Sequence, residues 1–328
     1  MKVLVTGANG FLGNHIVKTL LDQGYQVRAF ILDGTPEDVL KDLAIEVYKG
    51  NLMNLADIEK ALDSCDFVIH TAAITDLWPT KNEISWKINF EVAKNIAKAV
   101  KQKSIKKYIH VGTANSFGFG TKNQPGTEES EFNCGKYKLD YINSKKAAQE
   151  YLLAEQKENG LPVVIINPTF MIGENDSKPG TGEMIISVLT GKVSVYTAGG
   201  RCFASVKDVA HGAVNALKKG RVGECYITGG TNLNYKEFFT LIGKIGNVKP
   251  PKRKIPTFLV ITFAAITEFI ASIRKKKPLL TKAMARMSGD GHYYSSDKAI
   301  RELDFPQTSL ENALSEAIEW YIMNGYIK

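Results

Sequence analysis

Cysteine and histidine are too few and too scattered in this 328-residue chain to build a metal centre or a disulfide frame. Cys65, Cys134, Cys202 and Cys225 form no Cys-x-x-Cys pair, and none has a histidine at zinc-ligand spacing. His15, His70, His110, His211 and His292 share no metal spacing either, so no metal is expected and the thiols read as free. A secretory leader is not expected either. The first apolar run, Val3 to Val5, is three residues long and passes straight into a glycine loop, so a cytoplasmic, reducing location is expected. No internal repeat or low-complexity tract is visible. The net charge of +8 is dispersed, and only Lys252-Arg253-Lys254 and residues 274–277 form basic clusters. These flank an apolar stretch, so nucleic acid is not expected as a partner.

What is present begins at residue 2. Lys2 to Thr6 reads as a short strand that stops at Gly7-Ala8-Asn9-Gly10-Phe11-Leu12-Gly13. Phe11, Leu12, Ile16, Val17, Leu20 and Leu21 then fall at helical spacing, and Gly24 supplies a stop. Strand, glycine turn and helix N-terminus in that order make a dinucleotide cradle: the backbone can approach a pyrophosphate, and the free N–H groups and dipole of the helix face its charge.

The first half continues the alternation. Residues 26–31, 45–48, 67–70, 107–111 and 162–166 are β-rich runs separated by segments of helix length, which predicts a doubly wound parallel sheet of Rossmann type. Ligands on such a sheet bind beyond the carboxyl ends of the strands, where the winding reverses. With 44% hydrophobic residues the chain can fill more than one core. Residues 1–171, with about 208–228 returning to the sheet, are assigned to the dinucleotide domain. Residues 172–207 and 229–328 are assigned to a smaller, mainly helical substrate lobe.

Tyr141 and Lys145 lie four apart, one turn from each other on a helix face. A cation so placed favours the phenolate and moves the phenol toward a range where it exchanges a proton with a substrate oxygen. With this pair the chain resembles the extended short-chain dehydrogenase/reductase family, which includes dihydroflavonol reductases, 3β-hydroxysteroid dehydrogenases and nucleotide-sugar epimerases. The resemblance runs through residues 6–13, 50–52, 70–73, Asn89, residues 111–118, residues 141–145 and Asn167-Pro168. It is strongest toward bacterial dihydroflavonol-4-reductase-like proteins, through residues 161–173, 199–212, 229–230 and 293–299.

The resemblance implies an NAD(P)-dependent enzyme. Thr113 would bind the substrate carbonyl, Tyr141 exchange the proton, Lys145 tune Tyr141 and hold the nicotinamide ribose, and Asn89 support a proton-relay water. Ser116 reads as structural. Gly7, Asn9, Gly10, Phe11, Leu12 and Gly13 would hold the pyrophosphate. Leu32 and Asp33 would lie by the adenine ribose, Asn51 and Leu52 by the adenine, and Thr71, Ala72, Ala73, Asn167 and Pro168 along the remaining length. The second strand ends in neither the usual acid nor the usual arginine; the related reductases favour NADP, which is the expected cofactor with NAD as the alternative.

Substrate walls are expected at Trp78, Phe119, Phe170, Met171 and Tyr294. Residues 255–273 are apolar on most faces and bracketed by the basic clusters, but contain Glu268 and several hydroxyl side chains, which argues against a spanning helix. They are expected to form a lid over the pocket; the alternative is a helix in a membrane interface through residues 255–277, giving peripheral membrane contact. A homodimer is left open. Three function classes follow: a reductase or dehydrogenase acting on a small apolar ketone or alcohol, a nucleotide-sugar epimerase or dehydratase using the same residues, and a nonenzymatic nucleotide sensor.

Overall fold

The computed structural model describes residues 1–328 apart from 178, 181, 275, 277, 279 and 328. The chain runs β1 (Lys2–Thr6), α1 (Phe11–Asp22), β2 (Gln26–Leu32), β3 (Glu46–Gly50), α2 (Leu55–Leu62), β4 (Phe67–His70), α3 (Glu83–Trp86), a π-helical turn (Lys87–Glu91), α4 (Val92–Gln102) and β5 (Lys107–Val111). It continues with α5 (Asp140–Asn159), β6 (Val163–Pro168), β7 (Phe170–Ile172), α6 (Gly182–Leu189), β8 (Val195–Tyr196), β9 (Gly200–Ser205), α7 (Val206–Lys219) and β10 (Cys225–Thr228). The last part holds β11 (Thr231–Asn234), α8 (Tyr235–Ile245), β12 (Arg253–Lys254), α9 (Thr257–Arg274), α10 (Lys282–Gly289), β13 (Gly291–His292), α11 (Asp297–Leu303) and α12 (Leu310–Met323).

Seven parallel strands in the order β10-β6-β5-β4-β1-β2-β3 form the central sheet. Both faces are covered, so the strands are apolar on both sides. Val3, Val5, Ile69, Ile109 and Ile166 pack under α1 and α7; Leu4, Val68, Tyr108 and Ile165 pack under α2, α4 and α5. The winding reverses between β1 and β4, where Thr6 and His70 stand side by side. That is the crevice in which the glycine loop and the loop after β4 meet.

A second sheet, β11-β9-β13 with β7 beside β9, lies under α6, α8 and α12 and forms the lobe core around Phe203, Phe238 and Tyr321. An Asn234–Glu237 capping box starts α8. The boundary between the units is less clean than residue spacing suggests. Ala299, Leu303 and Phe305, from α11 and the turn after it, pack into the core shared by α1, α7 and the central sheet. The helical period of that segment gives no sign of which core it joins.

Candidate active site

The three loop glycines do different work. Gly7 has φ +68°, and a Cβ there would stand 2.8 Å from the Ala72 backbone. A Cβ on Gly13 would fall 2.0 Å from the Gly7 carbonyl oxygen, so the helix can only sit this close to the loop without a side chain. Gly10 is different: a Cβ there meets only the Gly7 oxygen, at 3.1 Å. Its open side lies at the N-terminus of α1, which has no side-chain cap and no acidic residue in its first turn. The free N–H groups can therefore take an anion, and the chain fits a dinucleotide there.

Neighbouring side chains brace this cradle. Asn9 Nδ2 donates to Thr35 Oγ1 at 2.9 Å and to the Pro36 carbonyl at 2.8 Å, tying the loop to the turn after β2. Thr71 Oγ1 donates to the Thr6 carbonyl at 2.7 Å, which sets Ala72 and Ala73 beside Gly7. Leu12 is buried, and Phe11 packs edge-on against His15. At the end of β2, Leu32 and Asp33 are exposed, and Asp33 Oδ1 accepts from Gly34 N at 3.0 Å. Arg28 lies elsewhere. Its guanidinium is buried, pairs with Glu46 at 2.7 Å and donates to the Ala61 and Asp63 carbonyls. Lys49 is paired with Glu37 at 2.7 Å. Asn51 Oδ1 accepts from Met53 N in its own turn, and half-buried Leu52 accepts from Asn95.

Thr113 follows β5, while Tyr141 and Lys145 stand on the first turns of α5. Lys145 is 2% exposed and its Nζ donates to the Val111 carbonyl at 2.7 Å. Burial pushes its pKa down to about 8. Burial also raises the Tyr141 phenol above its ordinary value, and a hydrogen bond with the Thr113 hydroxyl pulls it part of the way back. The lowered phenol expected from Lys145 is thus not what the polypeptide alone provides: desolvation dominates and the ammonium is turned to Val111. In this state Tyr141 is a proton donor.

Asn89 sits buried in the π-helical turn. Its Oδ1 accepts from Ile74 N at 2.9 Å, and its Nδ2 donates to the Ile74 carbonyl at 3.0 Å and to Ser144 Oγ at 3.1 Å. It therefore fastens the loop after β4 to the residue preceding Lys145. Asn167 Nδ2 donates to the Thr113 carbonyl at 3.0 Å and to Gln149 Oε1 at 2.7 Å, and adjoining Pro168 ends β6. Sequence spacing alone does not mark Ser144 as a partner of Asn89. The signal for Gln149 was available, because it continues the Tyr141–Lys145 spacing by one further turn. His70 bonds Thr6 Oγ1 at 2.7 Å, and burial first, then the Lys145 charge, hold it neutral with a pKa of about 3. Among the described residues no group of three or more His, Cys, Asp or Glu side chains could hold a metal ion, and all four cysteines are buried and unpaired.

The expected substrate walls do not converge. Phe119 packs with the cluster that holds Tyr141 and stacks on His292 at 4.2 Å. Trp78 is half-buried in the loop after β4. Alternation along β7 sends its first two side chains to opposite sides: Phe170 packs on Phe203 in the lobe core, Met171 against the central-sheet core. Tyr294 is buried in the core, and only its hydroxyl reaches toward the site, donating to Asn115 Oδ1 at 3.3 Å. Asn115 also meets His292, which bonds Tyr137, which donates to Asp290. Arg201, a half-buried cation of the lobe, donates to the Gly200, Met287 and Asp290 carbonyls. The expected lid forms α9, which packs on α10; it is α10, through Ala283 and Met287, that reaches the cluster around Tyr141.

Comparison with known proteins agrees with this geometry. Residues 3–229 match the model of the NAD dependent epimerase/dehydratase family. The "Putative dihydroflavonol 4-reductase" of Synechocystis is 32% identical, over 99% of this chain and 95% of that protein. "Sterol demethylase protein B" of Methylococcus capsulatus is 25% identical over the full length of both. The crystal structure of gox2253 superposes with a TM-score of 0.88 at 30% identity, covering 99% of each chain. The chain belongs to the NAD-dependent epimerase/dehydratase family, and it is an oxidoreductase of the extended short-chain dehydrogenase/reductase type.

Proposed function

We propose that the protein interconverts a ketone and a secondary alcohol on a small apolar molecule, with NAD(H) as the preferred cofactor. The observation that carries this reading is the Thr113–Tyr141 hydrogen bond, with buried Lys145 one turn further along α5, while the lobe cation Arg201 is held by backbone carbonyls. A nucleotide-sugar substrate needs cations in the lobe to offset the lost hydration of its diphosphate, and Arg201 could serve only by giving up those bonds. The names of the Synechocystis and Methylococcus relatives, a dihydroflavonol reductase and a sterol demethylase protein, point to largely apolar ring systems and support the same choice.

The dinucleotide, when bound, supplies the hydride acceptor or donor. Thr113 offers its hydroxyl to the substrate oxygen. Tyr141 gives its proton to that oxygen in the reducing direction and recovers it in the oxidising one. Lys145, whose ammonium rests on the Val111 carbonyl in the ligand-free chain, lowers the cost of negative charge on the phenol oxygen once it turns toward the ligand-filled site. Asn167 and Asn89 hold the backbone on either side, so the groups are set before a ligand arrives. For the cofactor, NAD(H) is favoured over the NADP suggested by the related reductases. The exposed Asp33 carboxylate suits a ribose hydroxyl and repels a 2′-phosphate, and Arg28, the arginine of β2, is turned away into the Glu46 pair.

The test is Tyr141→Phe, which keeps the ring and removes the acid. Against a panel of sterol-like and flavonoid-like ketones and alcohols, and of nucleotide sugars, turnover should fall about 100-fold or more while cofactor affinity stays near wild type. Turnover of a sugar nucleotide in preference to the apolar panel would refute the substrate class; full activity in the variant would refute the role of Tyr141.

A further inference from the structure

Helix α9 is patterned in the opposite sense to a helix facing water. Its inner face, through Ala264 and Ala271, rests on α10. Thr267 donates to the Leu280 carbonyl, and the Glu268 carboxylate accepts from Lys282 N at 3.0 Å, so this face is also fixed by polar bonds. The outer face should be polar. Instead it shows Phe258, Leu259, Phe263, Ile266, Phe269, Ile270 and Ile273, with Phe258, Phe269 and Ile273 each at least 65% exposed. Among the described residues, seven of the seventeen exposed large hydrophobic ones thus lie on one helix, which makes a contiguous patch and not the single scattered residues normal for a surface.

Cations stand at both ends of that stripe. Lys252, Arg253 and Lys254 are exposed at its foot, where β12 is paired in parallel with β8; Arg274 and Lys276 are exposed at its far end. None of these five forms an ion pair among the described residues, and Lys275 and Lys277 lie outside the described residues. Their disposition selects the occupant. Two copies of α9 packed face to face, parallel or antiparallel, would bring a basic end against a basic end and so repel. A layer of anionic headgroups over an apolar interior matches the whole stripe at once.

We propose that α9 is a membrane-surface helix that lies in the interface of an anionic bilayer, apolar stripe inward and both basic ends on lipid phosphates. The helix lies flat and does not cross, because its inner face is bound to Leu280 through Thr267 and to the start of α10 through Glu268. A depression lined by Lys136, Tyr137, Thr257, Ile261, Arg286 and Asp290 opens at its foot, so the surface resting on the bilayer adjoins Tyr137, four residues before Tyr141. The inference stands on the exposed stripe and its charges and is independent of the reaction assigned above.

The full-length protein would be sedimented with vesicles of phosphatidylcholine alone and of phosphatidylcholine with 30% phosphatidylglycerol, at about 0.1 M and 0.5 M salt. Binding at least about tenfold stronger to the anionic vesicles, and weakened by salt, is expected. The double variant F263S/F269S should lose about tenfold or more of its partitioning, and K252Q/R253Q/K254Q should lose the preference for phosphatidylglycerol. All five positions are exposed, so melting temperature should not move; if the serine variant fails to fold, the glutamine variant carries the test alone. Wild-type protein left in the supernatant with anionic vesicles, or a glutamine variant that keeps the preference, overturns the proposal. So does a concentration-dependent dimer in sedimentation velocity that F263S/F269S dissolves, which would give the stripe to a second copy.

Discussion

Replacing Lys145 with methionine should abolish activity and make the ligand-free protein more stable. The ammonium is buried, and burial lowers its pKa from 10.5 to about 8. A lysine depressed in this way opposes folding whenever it is charged. Its cost is fully present below pH 8, declines as pH rises through the interval between the folded and unfolded values, and is gone above 10.5. The shift corresponds to about 3 kcal/mol at pH 7 and about 1 kcal/mol at pH 9.5. Methionine fills a similar volume without charge but leaves the Val111 carbonyl without its donor, which returns about 1–2 kcal/mol. A net gain of about 1–2 kcal/mol at pH 7 follows, or a few degrees in melting temperature. The assay is thermal unfolding of wild type and Lys145→Met in matched buffers from pH 7 to 9.5, without cofactor. The variant should lead at pH 7, and its lead should shrink by about 2 kcal/mol at the alkaline end. A variant that is less stable at pH 7, or a difference that does not change with pH, would refute the claim that desolvation of Lys145 dominates.

The other expectations concern the cofactor. Gly10→Leu should lose dinucleotide affinity by calorimetric titration with its melting temperature nearly intact, whereas Gly13→Leu should not fold, because its Cβ would lie on the Gly7 carbonyl; equal loss of fold in both would remove the distinction between a cradle and a packing glycine. Steady-state kinetics should favour NAD(H) over NADP(H) by about tenfold or more, and L32R/D33S, at exposed positions, should reverse the order. Wild-type preference for NADP(H) would show that Asp33 does not face the ribose.

What the sequence made legible was local. The strand, glycine turn and helix at residues 2–22, and the Tyr141–Lys145 pair, follow from spacings within one element, and all stand where the pattern puts them. Partners brought from far along the chain were not legible. Asn167 reaching Thr113, Asn89 reaching Ile74, and Arg201 reaching Met287 depend on the order of strands, which no single element encodes. The same reason explains Met171 and Tyr294, whose side chains joined cores and not a pocket wall. For α9, an apolar composition on most faces fixed neither the face that packs nor its distance from Tyr141. That required knowing that α10 lies between.

Thr113, Tyr141 and Lys145 are held mainly through the backbone around them. Asn167 grips the Thr113 carbonyl, Lys145 grips the Val111 carbonyl two residues earlier, and Asn89 joins the loop after β4 to Ser144 beside Lys145. The end of β5, the loop after β4 and the first turns of α5 are therefore one hydrogen-bonded unit. The adjacent imidazoles do not dilute the charge at its centre. The rings of His70 and His110 lie tilted to each other, 5.4 Å apart, and stay neutral through burial, so Lys145 is the cation acting within that layer. A preset hydroxyl, phenol and ammonium in water-poor surroundings are arranged for charge that develops on a substrate oxygen, where fixed dipoles cost least to use. The instability of a buried lysine in the ligand-free chain is the structural consequence of that arrangement, and it is why the substitution that ends catalysis is expected to strengthen the fold.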